Sequence, residues 1–131
     1  MLIRDILERN ERKVIYISIG AHWCRGCVEE RPYLKALAED MKGKPLKIVD
    51  LLISVIGFQD ANNTNAIGNN IEDHLLTDEQ YYGLEPIFKT GDNGIPYYIL
   101  INKDGVIVDY GGHLRPSIPS TYQKIEELLS Q

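Results

Sequence analysis

Tyr16-Ile17-Ser18-Ile19-Gly20-Ala21-His22-Trp23-Cys24-Arg25-Gly26-Cys27 decides how this chain is read. It begins inside Val14–Ile19, a short, β-branched and nearly continuous apolar run. Such a run suits a strand covered on both faces, as in a parallel sheet. It ends in two cysteines three residues apart, and the residues beyond them have helical spacing, with Leu34, Leu37, Ala38 and Met41 at i, i+3, i+4 and i+7. Strand, then C-x-x-C, then helix is the setting in which two cysteines read as a redox pair. Positions i and i+3 of a helix are close enough for the Cα separation that a disulfide requires. The first cysteine meets the free N–H groups and the dipole of the helix N-terminus, which favour a thiolate. The second sits one turn deeper, placed to attack a mixed disulfide from inside. A structural zinc site would need four ligands, and His22, His74 and His113 show no H-x₃₋₅-H spacing. An inert buried thiol pair is the plain alternative.

Working outward, residues 2–12 read as an amphipathic helix with charges on its outer face. Pro32 falls inside the helix after the cysteines and should kink it, and Gly43 and Pro45 end it. Leu46–Ile53 gives a second buried strand. Asn62, Asn63, Asn65, Asn69 and Asn70 crowd a stretch of poor helix propensity, where a short helix is expected near 61–71. His74-Leu75-Leu76 reads as a brief strand, and Thr77-Asp78-Glu79 as the cap of a helix over about 78–88. Tyr97–Ile101 and Val106–Asp109 flank Asn102-Lys103-Asp104-Gly105, a hairpin. A last helix near 119–130 carries Tyr122, Ile125, Leu128 and Leu129 on one face. An early βαβ unit, a hairpin and a closing helix imply a mixed central sheet with helices on both faces, an α/β fold. No repeat or linker interrupts residues 1–131, so one domain is expected.

Composition narrows the function classes. The 131 residues are 44% hydrophobic and 25% charged, an ordinary profile for one globular domain. Fourteen Lys and Arg against nineteen Asp and Glu leave a formal charge of −5, and no basic stripe is present, which argues against a nucleic-acid partner. No apolar run approaches the ~20 residues that cross a bilayer. Charges interrupt Leu2-Ile3-Arg4-Asp5-Ile6-Leu7-Glu8-Arg9, so it is not the apolar core of a signal peptide.

The opening stretch is similar to the strand-to-active-site segment of the thioredoxin superfamily. It most resembles the TlpA/ResA-like thiol–disulfide oxidoreductases, common as bacterial extracytoplasmic domains. Glu30 and Pro32 match the glutamate and the helix-kinking proline beyond the cysteines in that group. Gly94-Ile95-Pro96 matches its cis-proline loop, Lys103-Asp104-Gly105 its hairpin turn, and Arg115-Pro116-Ser117 the approach to its last helix. The resemblance runs from about residue 4 to residue 130.

It implies a thioredoxin-like three-layer fold and disulfide exchange with protein thiols or disulfides. Cys24 would be the attacking thiol and Cys27 the resolving thiol, with Glu30 handling the proton of the deeper sulfur, through water. Trp23 would wall the cysteines, and Ile95 and Pro96 would form a backbone shelf for a partner polypeptide, with the Ile95–Pro96 bond cis. No metal, flavin or nucleotide cofactor is implied, because the disulfide itself stores two electrons. A monomer is expected. The expected location is a bacterial periplasm or cell envelope if the chain belongs to a longer exported protein, and the cytoplasm otherwise.

Departures from the group are specific. Arg25-Gly26 stands between the cysteines where Gly-Pro is frequent. Ser18 stands where thioredoxin has a buried acid, Gly20 where a tryptophan is usual, and Val28 where a basic residue is usual. They leave less charge and bulk around the pair. The runner-up reading is a redox-inactive module that holds a peptide in the same Trp23/Pro96 groove. A peroxidase would need Thr-x-x-Cys, and Ala21 occupies the threonine position.

Overall fold

In the computed structural model, residues 2–21, 24–53, 71–76 and 94–131 are described. Five strands form one mixed sheet: β1 (Val14–Gly20), β2 (Leu46–Ile53), β3 (Ile71–Leu76), β4 (Tyr97–Ile101) and β5 (Ile107–Tyr110). Their order is β3-β2-β1-β4-β5, with β1, β2 and β3 parallel and β4 and β5 each antiparallel to the preceding neighbour. Every residue of β1 and of β4 is buried, as continuous apolar runs in central strands require.

Alternation along the strands sends side chains to two separate apolar layers. Val14, Tyr16, Ile48, Tyr98 and Leu100 face α2 (Arg25–Asp40) and α3 (Pro119–Leu129), packing on Leu34, Leu37, Ile125 and Leu128. Ile15, Ile17, Ile19, Val49, Leu51 and Ile99 form the other layer, against Ile6 of α1 (Leu2–Arg9). Tyr16 and Tyr98 stack with ring centroids 5.7 Å apart. The Tyr16 hydroxyl donates to the Leu114 carbonyl, tying the sheet to a one-turn 3₁₀ helix at Gly112–Leu114.

Several boundaries differ from expectation, each for a local reason. α1 stops at Arg9 rather than residue 12, because the buried Asn10 donates its side-chain N–H to the Ile6 carbonyl at 2.8 Å and Arg12 turns the chain with φ 65°. α2 runs through Pro32 as one helix. β3 starts at Ile71, three residues before the expected strand and at the last residue of the expected 61–71 helix; the rest of that helix and the 78–88 helix lie outside the described residues. In the hairpin, the Asn102 side-chain oxygen accepts from the N–H groups of Asp104 and Val106, both at 3.0 Å, and Gly105 supplies φ 81°. β5 begins one residue later than expected, at Ile107, and the β4–β5 register shifts between Leu100 and Ile101. Among the described residues no helix is long and apolar enough to cross a membrane.

Glu72 anchors β3. Its carboxylate accepts from Arg9, lies 3.3 Å from Lys47 Nζ and meets the ring of the half-buried His74. Burial would raise the Glu72 carboxyl, but the hydrogen bonds from Arg9, His74 and Lys47 outweigh it and hold the group at about 2. A carboxyl depressed in the folded state stabilises the fold above its unfolded value of 4.5 and loses that contribution as pH falls towards 2. Arg9 is half exposed, so solvent screening keeps the effect near 1 kcal/mol. Glu72→Gln should therefore lower stability by about 1 kcal/mol at pH 7 in urea melts, and the gap to wild type should close between pH 4.5 and pH 2.

Candidate active site

The chain leaves β1 at Gly20 and enters α2 through Cys24, which occupies the N-cap position with extended backbone angles. The Cys27 N–H donates to Cys24 Sγ at 3.3 Å, so the sulfur takes the place an oxygen acceptor fills at most N-caps. A group in that position sees the positive end of the helix, which favours negative charge on it. The two sulfurs lie at disulfide distance, with Cα atoms 5.2 Å apart. Cys24 is half-buried, whereas Cys27 is 7% exposed.

Two glycines let three segments converge on the pair. A Cβ at Gly20 would stand 3.0 Å from Cys27 Sγ and 3.1 Å from Cys27 Cβ. A Cβ at Gly26 would stand 3.3 Å from Pro96 Cδ. The Ile95–Pro96 bond is cis, and Cys24 Sγ lies 3.7 Å from the Ile95 carbonyl oxygen. Of the residues expected to act together, Cys24, Cys27, Ile95 and Pro96 thus meet at one end of the sheet. Trp23 and His22 lie outside the described residues.

Glu30 does not stand as a free surface carboxylate. Its Oε1 accepts from the Ser117 N–H at 3.1 Å and its Oε2 from the Ser117 hydroxyl at 2.9 Å. It also borders a cavity of about 10 Å³ whose walls include Ser18, Gly20, Cys27, Asp50 and Tyr98, room for about one water. Tyr98 is 1% exposed, and burial, then the charges of Glu30 and Asp50, hold its phenol far above the ordinary value against the lowering effect of Arg115. The phenol is therefore neutral. Sequence reasoning passed over Asp50 and gave Ser117 no role. Asp50 was visible as the one acid in the apolar run Leu46–Ile53; Ser117 is 87 residues from Glu30 and carried no local signal.

The Redoxin family profile matches residues 5–125. The chain belongs to the Redoxin family. Among solved structures, it is similar to a protein from Bacteroides vulgatus named as a thiol-disulfide oxidoreductase, known in solution, at 29% identity and TM-score 0.74 over 95% of this chain and 78% of that one. A crystal structure of a protein so named from the same organism aligns at 27% identity and TM-score 0.70, over 93% and 82% of the two chains. A thiol:disulfide interchange protein from Bacteroides sp. shares the fold at 22% identity and TM-score 0.73, over 95% and 78%. No curated protein matches the chain. The fold of this redoxin is thioredoxin-like α/β, and it holds Cys24 and Cys27 at disulfide distance.

Gly20 gives the site a sharp test. Gly20→Ala forces Cys27 to move, because the new methyl cannot rest 3.0 Å from its sulfur. Overpacking of this kind typically costs about 1–3 kcal/mol. The redoxin should melt at lower urea concentration, and its cysteine pair should equilibrate differently with glutathione. A variant with wild-type stability and wild-type pairing would mean that the contact constrains nothing.

Proposed function

We propose that this redoxin exchanges disulfides with protein partners, as one thioredoxin-like domain, through Cys24 and Cys27. The observation that carries the proposal is the Cys24 sulfur itself, which accepts from the first turn of α2, lies at disulfide distance from a buried Cys27 and faces the Ile95 carbonyl beside Pro96. As a reductant, the Cys24 thiolate attacks a partner disulfide. The partner S–S bond breaks, one partner sulfur leaves as thiolate and takes a proton, and Cys24 is joined to the other. Cys27 then loses its proton and attacks Cys24 Sγ, and the second partner sulfur leaves. Two electrons have passed to the partner, and the Cys24–Cys27 bond has formed. The same steps in reverse oxidise a partner.

The remaining roles come from position. Ile95 and Pro96, at the start of β4, offer backbone to an extended partner segment, a pairing of the β-augmentation kind. Trp23, next to Cys24 in sequence, is the candidate wall of that groove. Glu30, held by Ser117 on the wall of the cavity and only partly buried, passes the Cys27 proton between the cavity and solvent. The resemblance to the TlpA/ResA-like group supports placement in a bacterial cell envelope.

Brief alkylation of the reduced protein near pH 6.5, mapped by mass spectrometry, should label Cys24 ahead of Cys27; labelling of Cys27 first would reverse the roles. Thiols that never equilibrate with a redox buffer would favour a peptide-holding module instead. Glu30→Gln should slow exchange up to about 100-fold at neutral pH without unfolding the domain, the lower end of general acid–base effects, because water can substitute at a partly exposed group. An unchanged rate across pH 6–9 would return Glu30 to a purely structural tie with Ser117.

A further inference from the structure

Asp50 is 3% exposed, in a strand whose other residues are apolar apart from Lys47. Alternation places Ile48, Asp50 and Leu52 on the α2 side of β2, because Val49 and Leu51 belong to the opposite layer. In register, Asp50 pairs with Ser18 of β1, and Ser18 pairs with Tyr98 of β4. One row towards the core stand Ile48, Tyr16 and Leu100, buried in the core, where the one polar side-chain atom, the Tyr16 hydroxyl, is taken up by the Leu114 carbonyl. One row towards the site, Gly20 pairs with Leu52, and Cys27 rests on Gly20. The polar row Asp50–Ser18–Tyr98 is thus the layer directly beneath the resolving cysteine, and Asp50 and Cys27 border the same cavity. Burying a carboxylate is costly unless it is compensated, and one set beside the single buried thiol of a redox pair has an obvious chemical use.

We propose that Asp50 is the group that takes the Cys27 proton when the pair closes and returns it when the pair opens. The proposal rests on the disulfide-exchange reading above. When Cys27 attacks Cys24 Sγ, its S–H proton passes to an Asp50 carboxylate oxygen, across one water if the cavity holds one. The Cys24–partner bond breaks, and the partner sulfur leaves with that electron pair. In the opposite direction a partner thiolate attacks Cys24 Sγ, Cys27 leaves, and protonated Asp50 gives the proton back. Glu30 is less suited to be the first acceptor, since both its oxygens already accept from Ser117; it is the exit to solvent. The other groups facing Asp50 are Arg31 of α2, which borders the cavity, and Tyr98, a neutral phenol. Arg115 acts on the same tyrosine, and Asp73 is the register partner on β3. The acid that Ser18 lacks is thereby supplied from the neighbouring strand.

The test separates the two steps of exchange with oxidised glutathione as probe. Mixed-disulfide formation on Cys24 and its resolution by Cys27 are followed by quenching and mass spectrometry from pH 5 to pH 9. Asp50→Asn keeps the side chain's size. It should slow resolution about 100-fold at pH 7 and flatten its pH profile, while formation stays at the wild-type rate. A variant with the wild-type resolution rate and pH profile overturns the proposal and leaves the exchange reading intact. Failure of the wild-type protein to form the mixed disulfide overturns both. Because Asp50→Asn could unfold the domain, carbon NMR of the reduced wild-type protein gives a second measurement. Asp50 Cγ and Cys27 Cβ should report the same two titration steps, as coupled groups do. Independent single steps overturn the proposal.

Discussion

The contact between Cys27 and the backbone of Gly20 sets how closely α2 approaches the sheet. A side chain at position 20 would hold the helix off, since even a Cβ would stand 3.0 Å from the sulfur. With the helix seated there, Cys24 falls at its N-cap, the Cys27 N–H reaches the Cys24 sulfur, and Gly26 passes so close to Pro96 that a Cβ would stand 3.3 Å from its Cδ. Each of these relations would loosen if α2 moved outward. In this chain the absence of a side chain at Gly20 is therefore what lets Cys27 and α2 sit this close to the end of β1.

Below that contact the sheet changes character row by row. Ile48, Tyr16 and Leu100 make a dry layer that contributes to stability through burial. The next row, Asp50, Ser18 and Tyr98, gives that up for polar groups under the cysteines. Stability is supplied elsewhere, by the all-buried strands β1 and β4 and by the Glu72 cluster, which fastens α1 and β2 to β3. Such a division leaves the end of the sheet free to carry groups chosen for chemistry rather than for packing.

How much was legible depended on whether a signal was local. β2 and β4 match the expected bounds to the residue, because short, mostly apolar runs bounded by turn residues have few alternatives, and spacing and context mark the cysteine pair. Cys24, Cys27, Ile95 and Pro96 do meet, although 71 residues separate Cys24 from Ile95; the resemblance, not the residues, placed them together. Apolar periodicity makes α1 too long because it does not show that Asn10 bonds back to Ile6. The sequence makes β3 too short because Glu72 and Asp73 look like loop residues until Arg9 and Lys47 are seen beside Glu72. Asp50 and Ser117 were missed for the same reason in two forms. A buried acid in a strand is meaningful only once its register partner is known, and a serine that holds a glutamate 87 residues away leaves no trace in either neighbourhood.

A serine at position 18 and an acid at position 50 bear on how a site of this kind can be built. Ser18 and Asp50 are paired across two parallel strands, so their side chains lie side by side on one face. A carboxylate reaching from either strand would enter the same cavity, because the cavity is defined by Cys27 above and by the row beneath it, not by one backbone position. What the chemistry requires is an acid in that space, and a parallel sheet offers more than one strand from which to supply it. The second carboxylate, Glu30, comes from the helix side and is fixed by the segment leading into α3. The inner thiol thereby shares its cavity with acids from two layers of the fold, one buried and one partly exposed, and the direction from buried to exposed is the direction a proton must travel when a buried thiol ionises.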